Sequence, residues 1–286
     1  MNNSYFKNRL VIGTANFSQK YGANPIKIKK NETKKIFKLA KKNKINLIDT
    51  ADSYLKHKII FRDIDKNFIF FTKISPDANW VSLEYCEEKL KKHFLELNNN
   101  KIETILFHDI KIFFTKNGRK IFDNLELLKK KRYFQKIGFS IYDFSYIKNL
   151  IRNYNFDVLQ CPYNVLDKRI LNSGWFDKLK KHRKEIHIRS IFLQGLLVNK
   201  SIYKKKYFKK WNTLFHDWFK NLENKNISPI DYCISDLLNY NFDKIVIGIN
   251  NFENLNEILN FKIINKKNMQ NYENNDLELI DPRNWK

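Results

Sequence analysis

Asp49, Tyr54, Lys73 and His108 are the residues of this chain best suited to chemistry. They stand at or just beyond the ends of three successive short apolar runs, INLIDTADSY, FIFFTKI and ETILFHD. A phenol can lend a proton and an ammonium can stabilise the phenolate left behind. A carboxylate can hold the ammonium, and an imidazole can donate a hydrogen bond. Together they suit carbonyl reduction, in which the oxygen takes a proton as the carbon takes a hydride. A free phenol, with a pKa of about 10, is too weak an acid to be ideal at neutral pH, so a neighbouring cation is what the chemistry asks for. Singly, each residue has an ordinary reading. Asp49 fits a strand-end turn, Tyr54 rim packing, and Lys73 one lysine among many. His108, beside Asp109, fits a metal ligand or a satisfied rim histidine. The ordered set carries the chemical reading.

Something must hold these four together. Runs dense in Ile, Leu and Phe that stop abruptly at polar residues read as buried parallel strands delivering side chains to a barrel mouth. Eight strands are expected, at residues 9–15, 45–50, 68–74, 102–108, 136–141, 157–162, 185–192 and 244–249. Helical spacing lies between them. Residues 32–43 put Ile36, Leu39 and Ala40 on one face; 82–97 repeat this with Leu83, Cys86, Leu90, Phe94 and Leu97, and 119–131 with Ile121, Leu125 and Leu128. Strand–helix alternation is the α/β pattern, and eight repeats favour closure into a (β/α)8 TIM barrel, one domain over residues 1–286. Two segments exceed the minimum. Residues 199–227, with Trp211, Phe215, Trp218, Phe219 and Leu222, read as one long amphipathic helix. Residues 261–286 read as a tail whose Leu277, Leu279, Ile280 and Trp285 dock it back near the barrel mouth.

The 286 residues carry a formal net charge of +24, with a pI near 9.7. The lysines are spread over many helical segments, as in KKIFKLAKKNK, EKLKKHF and LLKKKRYF, and the chain is equally rich in Asn, Ile and Phe. A solvated lysine surface is the simplest reading, and no specific nucleic-acid site is expected. A polyanion binder would cluster its lysines on one face of the fold. No apolar run approaches the roughly 20 residues of a membrane helix, and no signal-peptide pattern opens the chain. Cys86, Cys161 and Cys233 are odd in number and sit in apolar patterns, which fits reduced thiols in a cytoplasm. No His, Cys, Asp and Glu spacing suggests a metal site. His57, His93, His182, His187 and His216 read as structural or exposed.

DTADSY, the Lys of FFTKI and the His of LFHD resemble the Asp, Tyr, Lys and His tetrad of the aldo-keto reductases. VIGTANF resembles that family's first strand, KIGFS its fifth, VLQCPYNVLD its sixth and IRSIFLQGLL its seventh. IVIGINNFENLNEIL resembles its eighth strand and adenine-side helix. The resemblance runs in order from about residue 10 to residue 260. It implies a soluble oxidoreductase that reduces an aldehyde or ketone with NADP(H), or with NAD(H). Tyr54 would be the general acid, with Lys73 beside it, Asp49 pairing Lys73, and His108 orienting the carbonyl.

The cofactor-binding residues follow from the same resemblance. Gly13 and Thr14 match positions near the nicotinamide ribose; Ser140 and Gln160 match positions that hold the carboxamide. Arg189 stands where many members have a Tyr that stacks on the nicotinamide, and a guanidinium can stack as well. Ser190, Phe192, Gln194 and Gly195 match the loop that cradles the pyrophosphate. Gly248, Asn250, Asn254 and Glu257 match the adenosine side. No GxGxxG fingerprint occurs, so a Rossmann site is not indicated. The chain departs from the family after Tyr54, where LKHKIIF replaces a Gly-containing pattern, and at Ile141, where many members have Asn. No arginine for a 2′-phosphate appears in INNFENLNEIL. RSIFLQGLL and DPRNW look most like bacterial members associated with surface-polysaccharide or sugar-modification genes, which implies a sugar-like substrate. The alternative is a non-catalytic member that binds the dinucleotide as a regulatory subunit.

Overall fold

Eight short strands close into a parallel barrel in the order β1 to β8, with β8 returning to β1. They are β1 (Leu10–Gly13), β2 (Leu47–Ala51), β3 (Ile69–Ile74), β4 (Lys101–Phe107), β5 (Lys136–Ser140), β6 (Val158–Pro162), β7 (Glu185–Arg189) and β8 (Lys244–Gly248). The structure is a computed structural model and describes residues 3–18, 23, 28–54, 61 and 64–285. All eight expected strands are present, shorter than or offset from the apolar runs by up to three residues at their ends. His57 and most of the altered stretch after Tyr54 lie outside the described residues.

Side chains alternate across a strand, so each strand feeds two environments. The outward set, including Ile12, Ile48, Phe70, Ile105, Phe107, Ile137, Phe139, Ile186 and Ile245, belongs to the main core beneath the helices. The helices are amphipathic, as their spacing implies. Helix Lys30–Lys42 buries Ile36, Phe37 and Ala40, helix Leu83–Glu96 buries Cys86 and Leu90, and helix Gly118–Lys130 buries Ile121, Leu125 and Leu128. A separate cluster of Val11, Leu47, Phe71 and Val246, with Ile69 against it, fills the lumen. Two residues further along each of those strands stand Gly13, Asp49, Lys73 and Gly248. The period-two rule that packs the lumen therefore aims the next residue of the same four strands at the mouth.

The barrel floor is polar. Lys136 Nζ lies 2.7 Å from Glu185 Oε1 and 3.0 Å from Glu103 Oε1. The Glu185 carboxylate lies 3.1 Å from His187 Nε2, and the buried His187 ring stacks on Phe71 at 5.1 Å. Burial keeps the His187 pKa below its ordinary value, against the pull of Glu185.

The segment 199–227 corrects the expectation of one long helix. It forms a short helix Lys200–Tyr203, a 3-10 turn Lys206–Trp211 and a helix Asn212–Asn224. The break at Lys205 is extended backbone, φ −65° and ψ 150°. A straight helix over that whole span would be about 40 Å long, far more than one barrel face can cover. Folding it back instead buries Phe208, Trp211, Phe215 and Trp218 in a second cluster with Leu193, Leu196 and Leu197. The chain beyond residue 276 joins the same cluster through Leu279 and Ile280, both fully buried, while Leu277 stays half exposed. Trp285 packs edge-on against Phe208 at 4.9 Å and donates from Nε1 to the Leu279 carbonyl at 3.0 Å.

Among the described residues no helix is long and apolar enough to cross a membrane, and no group of three or more His, Cys, Asp or Glu could hold a metal ion. The three cysteines are buried free thiols. Burial pushes Cys86 up to about 11 and Cys161 up to about 12. Among the other histidines, His93 is buried against Thr72, 2.7 Å away, and His182 and His216 are exposed.

Candidate active site

A cavity of about 460 Å³ opens at the C-terminal end of the barrel strands. Asp49, Tyr54, Lys73 and His108 all line it. Asp49 comes from the middle of β2 and Lys73 from β3, both directed inward. His108 follows β4, its backbone N–H held by the Ile74 carbonyl at 2.8 Å. Tyr54 sits in a single 3-10 turn, residues 52–54, that leaves the end of β2.

Lys73 and Asp49 are only 3 % and 4 % exposed, and Lys73 Nζ donates to Asp49 Oδ1. Gln160 Nε2 donates to the other carboxylate oxygen at 2.8 Å. The carboxylate is thus satisfied on both oxygens, as burial requires. Burial holds the Lys73 pKa below that of an ordinary ammonium even though Asp49 opposes the shift. The Lys73 ammonium lies 6.0 Å from the centre of the Tyr54 ring. The His108 ring meets Tyr54 edge-on, 6.1 Å between centroids. Burial and the Lys73 charge lower the His108 pKa, with Asp52 opposing, so the imidazole is neutral at neutral pH and keeps one N–H donor.

The remaining expected residues also gather here, with one difference of depth. Gly13, Thr14, Ser140 and Arg189 line the cavity together with Asp49 and Lys73. Gln160 does not; it is fully buried behind Asp49, with Ser140 Oγ 3.4 Å away. Thr14 spends its hydroxyl on the Asp49 carbonyl at 3.0 Å and so pins β1 to β2. Gly248, Asn250, Asn254 and Glu257 line the far end. Asn250 is held there by Asn16 Nδ2 at 2.8 Å and by Asn254 Oδ1 at 3.3 Å.

Ser190, Phe192, Gln194 and Gly195 form one wall. Its backbone is unusual. Ser190, Leu193 and Gln194 have φ values of 63°, 45° and 52°, and Gly195 has 91°. Left-handed backbone at a non-glycine residue costs about 1–2 kcal/mol, so the surroundings must enforce it. They do. Leu193, Leu196 and Leu197 are fully buried, Trp218 Nε1 donates to the Leu197 carbonyl at 2.9 Å, and Asn164 Nδ2 donates to the Ser190 carbonyl at 3.2 Å.

The sequence reading missed three residues at this mouth. Asp52 accepts from Ser53 N at 2.6 Å and Ser75 N at 3.0 Å, which fixes the turn carrying Tyr54. Asn16 lines the cavity and is 5 % exposed; its Nδ2 is committed to the Ile249 and Asn250 oxygens, while its Oδ1 is buried without a hydrogen-bond partner. Tyr142 also lines the cavity. A signal for Asn16 was available in GTANF, where it is a second polar residue after Thr14, whereas Asp52 is one of several polar residues in DTADSY and nothing local singles it out. A larger hollow of about 610 Å³ lies at the opposite end of β5, around Lys129, Arg132 and Gln135. Asp49, Tyr54, Lys73 and His108 do not line it.

A closed parallel barrel whose mouth gathers Asp, Tyr, Lys and His into one cavity defines a (β/α)8 protein with a polar site at the C-terminal ends of its strands. The profile of the Aldo/keto reductase family matches residues 9–278, and the chain belongs to that family. Its fold is similar to a holo-form aldo-keto reductase from Bacillus halodurans, at 16 % identity and TM-score 0.72 over 92 % of this chain and 90 % of that one. It is also similar to the glycerol dehydrogenase of Gluconobacter oxydans, at 15 % identity and TM-score 0.68 over 91 % and 88 %. A third similar structure is that of a Gox0644 mutant in complex with NADPH, at 15 % identity and TM-score 0.66 over 94 % and 90 %. No curated protein matches the sequence.

Proposed function

We propose that this protein is a nicotinamide-dependent oxidoreductase that reduces an aldehyde or ketone to an alcohol, or runs the reverse. The observation that carries the proposal is the convergence of Asp49, Tyr54, Lys73 and His108, from β2, β3, β4 and the turns that follow them, on one cavity. Membership of the Aldo/keto reductase family supports it, as does the NADPH complex of a structure with the same fold. The same two facts support a small-molecule carbonyl substrate and NADP(H) as cofactor.

The residues fit a dinucleotide. The cavity runs from the Asp49–Lys73 pair to Asn254 and Glu257. The Asn16 carbonyl oxygen, an acceptor with no protein partner, suits a ligand hydroxyl or amide donor. Ser140, Thr14 and Gly13 would hold the nicotinamide end, with Gln160 behind them. The backbone of the 190–195 loop would cradle the phosphates, and Asn250, Asn254 and Glu257 would meet the adenosine. A reduced nicotinamide, when bound, supplies the hydride to the carbonyl carbon.

The chain's own side chains do the rest. His108, neutral, donates to the carbonyl oxygen and fixes its direction. Tyr54 gives its hydroxyl proton to that oxygen as negative charge develops there, and the resulting phenolate regains a proton from solvent. The Lys73 ammonium stabilises the phenolate, and Asp49 keeps the buried ammonium paired. Gln160 holds the second oxygen of Asp49, so the carboxylate cannot rotate away. The resemblance at RSIFLQGLL and DPRNW points to a polyhydroxylated, sugar-like carbonyl.

A second reading of the cofactor rests on Glu257. It lines the adenosine end, where burial raises its pKa, and no arginine occurs between residues 250 and 260. A carboxylate there opposes a 2′-phosphate and accepts from a 2′-hydroxyl, which favours NAD(H). Fluorescence titration with NADPH and NADH, followed by a carbonyl panel, tests both readings. Binding of neither at millimolar concentration would remove the proposal. Binding without turnover of any carbonyl would favour the regulatory-subunit alternative.

A further inference from the structure

Tyr142 follows β5 and lines the cavity beside Arg189. Two guanidinium groups approach its ring. The Arg189 carbon lies 3.8 Å from the ring centre and the Arg283 carbon 3.9 Å. One aromatic ring is thus in contact with both guanidinium groups. Arg189 also donates from Nη2 to the Ile141 carbonyl at 2.9 Å, and Arg169 donates to the Tyr142 carbonyl at 3.3 Å. Arg283 comes from the far end of the chain. Asp281, 4 % exposed, accepts from its Nε at 2.9 Å and also pairs with Nη2. Asp281 is fixed in turn by the buried Leu279 and Ile280 just before it.

We infer that Arg283 stands behind the cavity wall and acts through Tyr142 as a positioning residue for Arg189. The inference rests on the reductase reading for what the wall does, though the clasp itself does not depend on it. The placement of Arg189 gives the clasp its reach, because its charge acts on both Lys73 and His108. A guanidinium held against Tyr142 and tied to the Ile141 carbonyl presents a defined surface to whatever lies in the cavity, and a loose one does not. Asp281 offsets the charge of Arg283, so two cations can share one ring.

The experiment compares Arg283→Ala, Arg283→Lys, Tyr142→Ala and the Arg283→Ala/Tyr142→Ala double variant of the full chain. Hydrogen exchange of the 141–146 peptide is read without cofactor, and kcat and KM are read with 4-nitrobenzaldehyde at saturating NADPH. Arg283→Ala should raise exchange in 141–146 about tenfold and leave the β3 and β4 peptides unchanged. Cation–π contacts of this kind are worth about 0.5–2 kcal/mol, so KM should rise about 2- to 30-fold with kcat held within about twofold. Arg283→Lys should not rescue, because lysine lacks the planar fork that both stacks and grips Asp281. The double variant should match Tyr142→Ala. Should Arg283→Ala fold poorly, Asp281→Asn frees Arg283 without removing it and should give the same exchange pattern. Unchanged exchange in 141–146, unchanged KM, or additive losses in the double variant would overturn the inference. Failure of the wild-type protein to bind NADPH would overturn the reductase reading alone, because the exchange measurement decides the clasp by itself.

Discussion

At the scale of single residues, a buried Lys73 and the Tyr54 phenol share one site. Tyr54→Phe is expected to cut turnover about 10²- to 10⁴-fold, the usual worth of a general acid, with cofactor affinity within about threefold. A variant keeping more than about a tenth of the rate, under conditions where chemistry is limiting, would contradict that role. Lys73 and Asp49 should behave as one unit. Lys73→Met should remove most activity, Asp49→Asn less, and the pair should be little worse than Lys73→Met alone, because the ammonium and its carboxylate act through one ion pair. Losses in log kcat/KM that simply add would show two independent contributions. That these four residues gather in one cavity was legible because they stand at or just beyond the ends of apolar runs, and the C-terminal strand ends face the barrel mouth. Tyr142 and Arg283 were not legible. An aromatic and an arginine some 140 positions apart carry no local pattern, and only the closed barrel with its returning C-terminal segment brings them within 4 Å.

At the scale of elements, the strands were readable and the connection before β8 was not. Strand identity is set locally, by short runs of Ile, Leu and Phe with turn residues at their ends. The course of residues 199–227 is set by where Trp211, Phe215 and Trp218 find partners: the loop at 193–197, and Trp285, Leu279 and Ile280 near the end of the chain. That information is nonlocal. The barrel itself makes a sharp prediction at β5. A Cβ added at Gly138 would lie 2.0 Å from the Val158 carbonyl oxygen, so Gly138→Ala must push β5 from β6. A loss of about 3 kcal/mol is expected, seen as a fall in Tm of about 10 °C. An unchanged Tm would mean the β5–β6 spacing is looser than the register implies. The strained wall predicts the opposite sign. Gln194→Gly should raise stability by about 1 kcal/mol, since φ 52° suits glycine, and a lower Tm would show that the Gln194 side chain outweighs its backbone cost.

At the scale of the whole molecule, acid sensitivity follows from the floor and the mouth together. His187 and His108 both have pKa values lowered by burial in the folded protein. The unfolded chain, with histidines near 6.5, therefore binds more protons just below that pH. Stability should be complete above about pH 6.5 and fall as pH drops below it. Glu185 adds a second, lower window. Burial would raise its pKa, but the His187 hydrogen bond and Lys136 outweigh it and hold the carboxyl at about 2. Its contribution is present above about pH 4.5 and is lost as pH falls from there toward 2. A Tm that stays level from pH 8 to pH 5 would contradict the buried neutral histidines. The charge of +24 makes no fold-level demand and fits a solvated surface. Whether the molecule is a reductase is tested most directly by transfer of label. NADPH deuterated at the hydride position is mixed with excess wild-type protein and a panel of aldehydes, and the alcohol is read by mass. The account predicts that one deuterium reaches the carbonyl carbon with wild-type protein, and that transfer slows at least 100-fold with Tyr54→Phe. Binding of NADPH with no deuterium in any alcohol, or equal transfer by both proteins, would contradict it.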